Sequence, residues 1–148
     1  MQKHPKLSAM KVQLKRMNKA CHFEAVNEDG RAIQLDSSPS SLGEGLGVRP
    51  MQSLLMALGG CTAIDITLIL TKQKLEILDF KLDIEGEREE NKEPALWTKI
   101  HISYFIKGEM EKSMVERAVH LSMTKYCSVA ETLRRAGAVI TYDIQLSK

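Results

Sequence analysis

Residues 49–73 read RPMQSLLMALGGCTAIDITLILTKQ, and the way this stretch folds constrains everything around it. From Met51 to about Gln73 the pattern is helical but apolar on nearly every side, through Leu54, Leu55, Met56, Leu58, Ile64, Ile66, Leu68, Ile69 and Leu70. A helix without a polar face must be covered all round. One sheet from a chain of 148 residues covers one side, so a second subunit is expected on another. The stretch almost reaches the length that crosses a bilayer. Asp65 would then lie deep in hydrocarbon, at about 2.5 kcal/mol or more. A buried helix, with no membrane partner, is the expectation.

Outward from this helix the chain reads as strands. Val12, Leu14 and Arg16 alternate with Lys11, Gln13 and Lys15, Ala20 to Val26 forms a second strand, and Ile33 and Leu35 face inward on a third. Asn18-Lys19 and Asn27-Glu28-Asp29-Gly30 supply the turns. The Ser-, Gly- and Pro-rich stretch from Asp36 to Pro50 is a long loop, a length that often signals function. After the helix, Leu78, Phe80, Leu82 and Ile84 form one face of a strand, and Ile100, Ile102, Tyr104 and Ile106 one face of the next. An amphipathic helix is expected over 109–126, with Met114, Val115, Ala118, Val119 and Ser122 inward. Ser128 and Glu131 have capping-box spacing for a short helix that Gly137 closes. Ile140, Tyr142, Ile144 and Leu146 line the last strand. The order βββ-α-ββ-αα-β lacks strict βαβ alternation, so the fold class is α+β. Residues 1–148 are read as one domain, with a β-meander over 11–36 and the helix-containing main part over 51–148.

Composition narrows the partners. Twenty-one basic against 19 acidic side chains give a net charge of +2, with 43% apolar and 27% charged residues. That balance lacks the concentrated basic surface that nucleic acid requires. The first residues carry no apolar secretory stretch, and three cysteines without close pairing point to a reducing compartment; the expected location is cytoplasmic.

The chemistry centres on Gly59-Gly60-Cys61. Each glycine inside a helix costs about 1 kcal/mol relative to alanine, so close approach of a backbone or a substrate must offset it. A core cysteine at a helix crossing is the competing explanation. Cys127, just before the capping residue Ser128, lies beside a helix N-terminus, where the partial positive charge favours a thiolate. Asp65, four residues after Cys61, works against a thiolate there, so an activated Cys61 needs a cation from elsewhere. Arg16, a charge on an otherwise apolar strand face, and Arg49, beside Pro50, are the two candidates. Cys21 and the adjacent His22 point to opposite faces of a strand, and no paired ligand spacing suggests zinc. His4, His101 and His120 are scattered, as expected of solvated or structural residues.

The segment from Arg49 to Cys61 resembles the Pro-x-Glu-Leu-Leu…Gly-Gly-Cys helix of the OsmC/Ohr superfamily, and Lys125-Tyr126-Cys127-Ser128-Val129 resembles its second cysteine motif. The element order matches from roughly Lys11 onward, and the chain looks more akin to the YhfA-like branch than to Ohr proper. The resemblance implies antiparallel sheets around central helices in an intertwined homodimer, with two sites at the interface. It implies that Cys61 attacks an organic hydroperoxide, that Cys127 resolves the product, and that Arg16 activates the attacking thiol. The family's glutamate that orients this arginine is replaced; Met51 and Gln52 stand there, and Gln52 offers a hydrogen bond without a charge. The implied cycle runs through a sulfenic acid and a disulfide, needs an external dithiol reductant, and requires neither metal nor organic cofactor. A redox sensor with the same thiols, and an apolar ligand-binding dimer with inert ones, are the alternatives.

Overall fold

The structure is a computed structural model that describes residues 9–148, so His4 lies outside the described residues. It resolves into two units, residues up to Ser53 and Leu54–Lys148.

Two asparagines shape the first unit. Asn18 Oδ1 accepts from the backbone N–H of Ala20 and His22, and Asn27 Oδ1 from those of Asp29 and Arg31. Such side-chain turns reverse the chain twice. They join strands β1 (Gln13–Arg16), β2 (Phe23–Val26) and β3 (Ala32–Leu35) into an antiparallel sheet. The strands are shorter than expected, and Leu14 and Ile33 are 55% and 53% exposed rather than inward. A three-stranded sheet this small has too little surface to bury its own apolar face. The loop after β3 is not slack. Asp36 is buried, its Oδ1 accepts from Ser37 N–H, and its Oδ2 accepts from those of Glu44 and Leu46. These bonds, led by Leu46, hold the carboxyl below its usual pKa range.

Helix α1 runs from Pro50 to Lys72. Proline suits the first helical position, and Gln52 Oε1 accepts the Arg49 N–H, as the third residue of a capping box does. Leu58, Thr62, Ile66 and Leu70, four residues apart, are fully buried. Met56, Ile64 and Leu68, on the opposite side, are 56%, 62% and 54% exposed. The helix is long and apolar enough to cross a membrane by composition, with a mean hydropathy of 1.9. Its buried stripe packs into the core of the second unit instead.

The second sheet has the order β4-β5-β6, from Asp79–Arg88, Trp97–Lys107 and Val139–Ser147. Ile100, Ile102, Tyr104 and Ile106 on the central strand are buried, as their alternation demands. β4 pairs antiparallel with β5, but β6 runs parallel to β5, so the expectation of antiparallel sheets is corrected here. The helical crossover between β5 and β6 is the connection that parallel pairing needs.

The first helix of that crossover is shorter than the expected span 109–126. α2 covers Lys112–Leu121, and Ser122–Tyr126 forms a wider π-helical turn before α3 (Ser128–Arg135). The widened turn is closed by Cys127 N–H donating to Ser122 O at 2.9 Å, while the Arg134 guanidinium donates to Met123 O. Val115, Ala118, Val119 and Ser122 are buried as predicted. The cap of α3 is Cys127, not Ser128, because its sulfur accepts the Ala130 N–H at 3.3 Å. Glu131 turns instead to Arg134 and Arg135. Gly137, at φ +104°, closes α3 as expected.

Candidate active site

Three residues of the second unit converge on one point. Cys61 and Asp65, one turn apart on α1, and Cys127, at the cap of α3, bring their two Sγ atoms and a carboxylate oxygen within 4.8 Å of one another. Cys127 is buried at 4% exposure, whereas Cys61 and Asp65 are half-buried. All three cysteines of the chain are free thiols. Two of them, 66 positions apart in the chain, therefore lie close to disulfide range.

Asp65 is anchored from the crossover. Ser122 is fully buried, and its Oγ donates to Asp65 Oδ2 at 2.9 Å. The π-helical turn that begins at Ser122 thus shapes both partners of Cys61, orienting the carboxylate and presenting Cys127. Tyr104, buried beneath them on β5, rests its hydroxyl 3.8 Å from Met123 Sδ. Burial pushes the Tyr104 hydroxyl up to about 12.

The electrostatics of Cys127 reverse the expectation from the helix end. Burial pushes the thiol up to about 12, and the neighbouring Cys61 adds to the rise. The Ala130 and Val129 N–H groups of α3 pull the other way and lose. A partial charge at a helix terminus is a small effect, whereas desolvation of a thiolate is large. Cys127 is a protonated thiol at neutral pH.

The two glycines before Cys61 have different reasons. A Cβ on Gly59 would stand 3.0 Å from methyl groups of Leu82 and Ile84, so the helix lies closely on β4 there. A Cβ on Gly60 would meet nothing within 4 Å, and Gly60 sits in the exposed stripe between Met56 and Ile64. Close approach within the chain explains the first glycine alone.

The residues linked to activation lie in the other unit. Arg16 ends β1, exposed, with Nε donating to Ala20 O at 2.8 Å and a terminal nitrogen donating to Lys19 O. Those carbonyls belong to its own turn, so the charge is not stranded on an apolar face. Gln52 caps α1 through Arg49 N–H. Cys21 Sγ lies 4.0 Å from Ser41 O, and His22 hydrogen-bonds Gln34 at 2.6 Å, so the adjacent pair has separate partners. Sequence reasoning saw Asp65 only as a charge beside Cys61 and missed its bond to Ser122; the four-residue spacing was the available signal.

The family model described as "OsmC-like protein" matches residues 43–143. Protein YhfA of Escherichia coli strain K12 is 42% identical over 88 residues, 59% of this chain. The match spans 65% of that relative, a little under two thirds of its length. A hypothetical protein from Aquifex aeolicus VF5 superposes with a TM-score of 0.79 at 30% identity, over 96% of this chain and all of the other. An organic hydroperoxide resistance protein OsmC from Legionella pneumophila superposes with a TM-score of 0.65 at 17% identity, over 97% and 98% of the two chains. At that identity the likeness is one of fold.

Proposed function

The chain belongs to the OsmC-like protein family, and from that premise we propose that it is a thiol peroxidase that reduces organic hydroperoxides through Cys61 and Cys127. The observation that carries this reading is the convergence of the two sulfurs, one half-exposed and one buried. The name of the Legionella protein, which shares the fold, agrees with it.

The roles follow from exposure and protonation. The Cys61 thiolate attacks the distal oxygen of ROOH; the O–O bond breaks, Cys61 becomes a sulfenic acid, and the alkoxide leaves as ROH after taking a proton. Cys127, protonated and buried, waits. Its sulfur then displaces hydroxide from the sulfenic acid, forming the disulfide and releasing water. An external dithiol returns both thiols by exchange. A thiol held near a pKa of 12 is a poor first nucleophile at neutral pH, which supports Cys61 as the opening attacker. The apolar stretch of α1 around Cys61 suits an alkyl or acyl hydroperoxide.

Arg16 is the proposed activating cation, with Gln52 in the place of the family glutamate; Arg49 is the alternative. A second copy of the chain is the proposed cover for the exposed stripe of α1, and the proposed location is cytoplasmic, away from nucleic acid and membrane.

The test is steady-state consumption of tert-butyl hydroperoxide with a dithiol reductant, followed by disulfide mapping. Wild type is expected to turn over many equivalents and to accumulate a Cys61–Cys127 disulfide when the reductant is withheld. Cys61→Ser consuming peroxide as fast as wild type ends the assignment. One equivalent consumed per chain, with the dithiol present, favours the sensor.

A further inference from the structure

Cys61, Asp65 and Cys127 also form a donor set, and we infer that in the reduced state they bind a thiophilic d10 cation of the zinc class. Three ligand atoms of two chemical kinds lie within 4.8 Å of one another. Around a tetrahedral zinc ion, with sulfur at about 2.3 Å and oxygen at about 2.1 Å, neighbouring ligand atoms stand roughly 3.6–3.8 Å apart. Closing the set therefore asks for a contraction of at most about 1.2 Å, within the reach of small side-chain torsions. Thiolate donors select soft or borderline ions over magnesium and calcium.

The support around the donors is already in place. Cys61 and Asp65 are fixed by one rigid helix and separated by one turn. Ser122 holds one oxygen of Asp65 at 2.9 Å, the outer contact that orients a ligating carboxylate. The site is half-buried, with Cys127 at its floor. Three protein ligands leave the fourth position to water or another small donor, the open arrangement of exchangeable rather than purely structural sites.

A consequence rests on the peroxidase reading. Metal and disulfide exclude each other, because both need the same two sulfurs. With the ion bound, oxidation requires two thiolates, ROOH and two protons to yield the disulfide, ROH, water and the free ion. The sulfurs lose two electrons and the peroxide gains them. Zinc thus restrains the peroxide cycle, and oxidation releases zinc.

The test uses the full-length protein, fully reduced and metal-free, titrated anaerobically with Zn2+ against a chromophoric chelator, with Co2+ as a second probe for thiolate-to-metal charge transfer. One ion per thiol pair is expected, with a thiolate–cobalt band in the near ultraviolet. Ser122→Ala is expected to weaken Zn2+ by about 10- to 100-fold, as loss of an outer contact does, and Asp65→Asn by at least as much. Cys21→Ser is expected to bind as wild type does. The diamide-oxidised wild type, which needs no substitution to fold, is expected to lose the ion. No binding by reduced wild type, or equal affinity in the disulfide form or in Asp65→Asn, overturns the inference. Peroxide turnover of the metal-free protein is measured separately, so loss of one reading leaves the other standing.

Discussion

At the residue scale, the decisive contest is within Cys127. Its sulfur accepts an N–H from α3, yet burial outweighs that bond and the thiol is pushed up to about 12. In the unfolded chain the ordinary thiol value is 9.0. The folded value is the higher one, so the stabilising contribution is complete below about pH 9 and is lost as pH rises toward 12. Tyr104, raised from 10.0 to about 12, adds to the same loss from the same cause. Thermal melts of the reduced protein are expected to fall between pH 9 and pH 12, and Cys127→Ser is expected to fall less steeply than wild type. A parallel slope in the two proteins would contradict the burial account. The same contrast predicts alkylation order. With limiting iodoacetamide at pH 7.5, Cys61 is expected to label before Cys127, as read by peptide mass; the reverse order would remove the assignment of first attack. The i, i+4 pairing of Cys61 with Asp65 was legible in the sequence because it is local. The burial of Cys127 was not, because it depends on what the rest of the unit packs over it.

At the element scale, glycines and a single carboxylate show how backbone shape is held. Gly86 on β4 lies under Trp97, and a Cβ there would stand 2.7 Å from the ring and 3.2 Å from Leu55. An indole cannot bend away, so Gly86→Ala is expected to destabilise by about 1–3 kcal/mol, the usual cost of overpacking, in chemical denaturation. Gly59 differs, because the atoms it would meet are the ends of flexible side chains. In the first unit, Asp36 ties three N–H groups of the loop after β3. Its folded pKa is depressed, so this tie is present above the ordinary carboxylate value of 3.8 and is lost as pH falls through the lower folded value. Amide exchange at Ser37, Glu44 and Leu46 is expected to accelerate in Asp36→Asn at neutral pH, relative to amides in β4 and β5. Unchanged exchange would show that the loop holds itself. The strand faces of β5 and the buried stripe of α2 followed from period alone, whereas the π-helical turn after Leu121 has no periodic signature.

At the scale of the whole molecule, α1 carries one stripe that the chain buries and one that it leaves bare. Leu58, Thr62, Ile66 and Leu70 meet the core, while Met56, Gly60, Ile64 and Leu68, offset by half a turn, are exposed. An exposed apolar row of this kind marks an interaction surface, and the proposed occupant is a second copy. Sedimentation of wild type at micromolar concentration is expected to give a dimer, and Ile64→Glu a folded monomer by circular dichroism. A monomeric wild type would leave the bare stripe without its proposed partner.

Taken alone, the sequence determined the long apolar helix, the alternating inner faces of β4 and β5, and the proximity of Asp65 to Cys61, because periodicity and one-turn neighbours are properties of local geometry. Tertiary structure decided the rest. β6 lies parallel to β5 because two helices carry the chain back across the sheet, and Cys127 meets Cys61 because that crossover ends in a widened turn over α1. Whether the thiol there is charged depends on desolvation, a sum over everything packed around it, and no short stretch of sequence contains that sum.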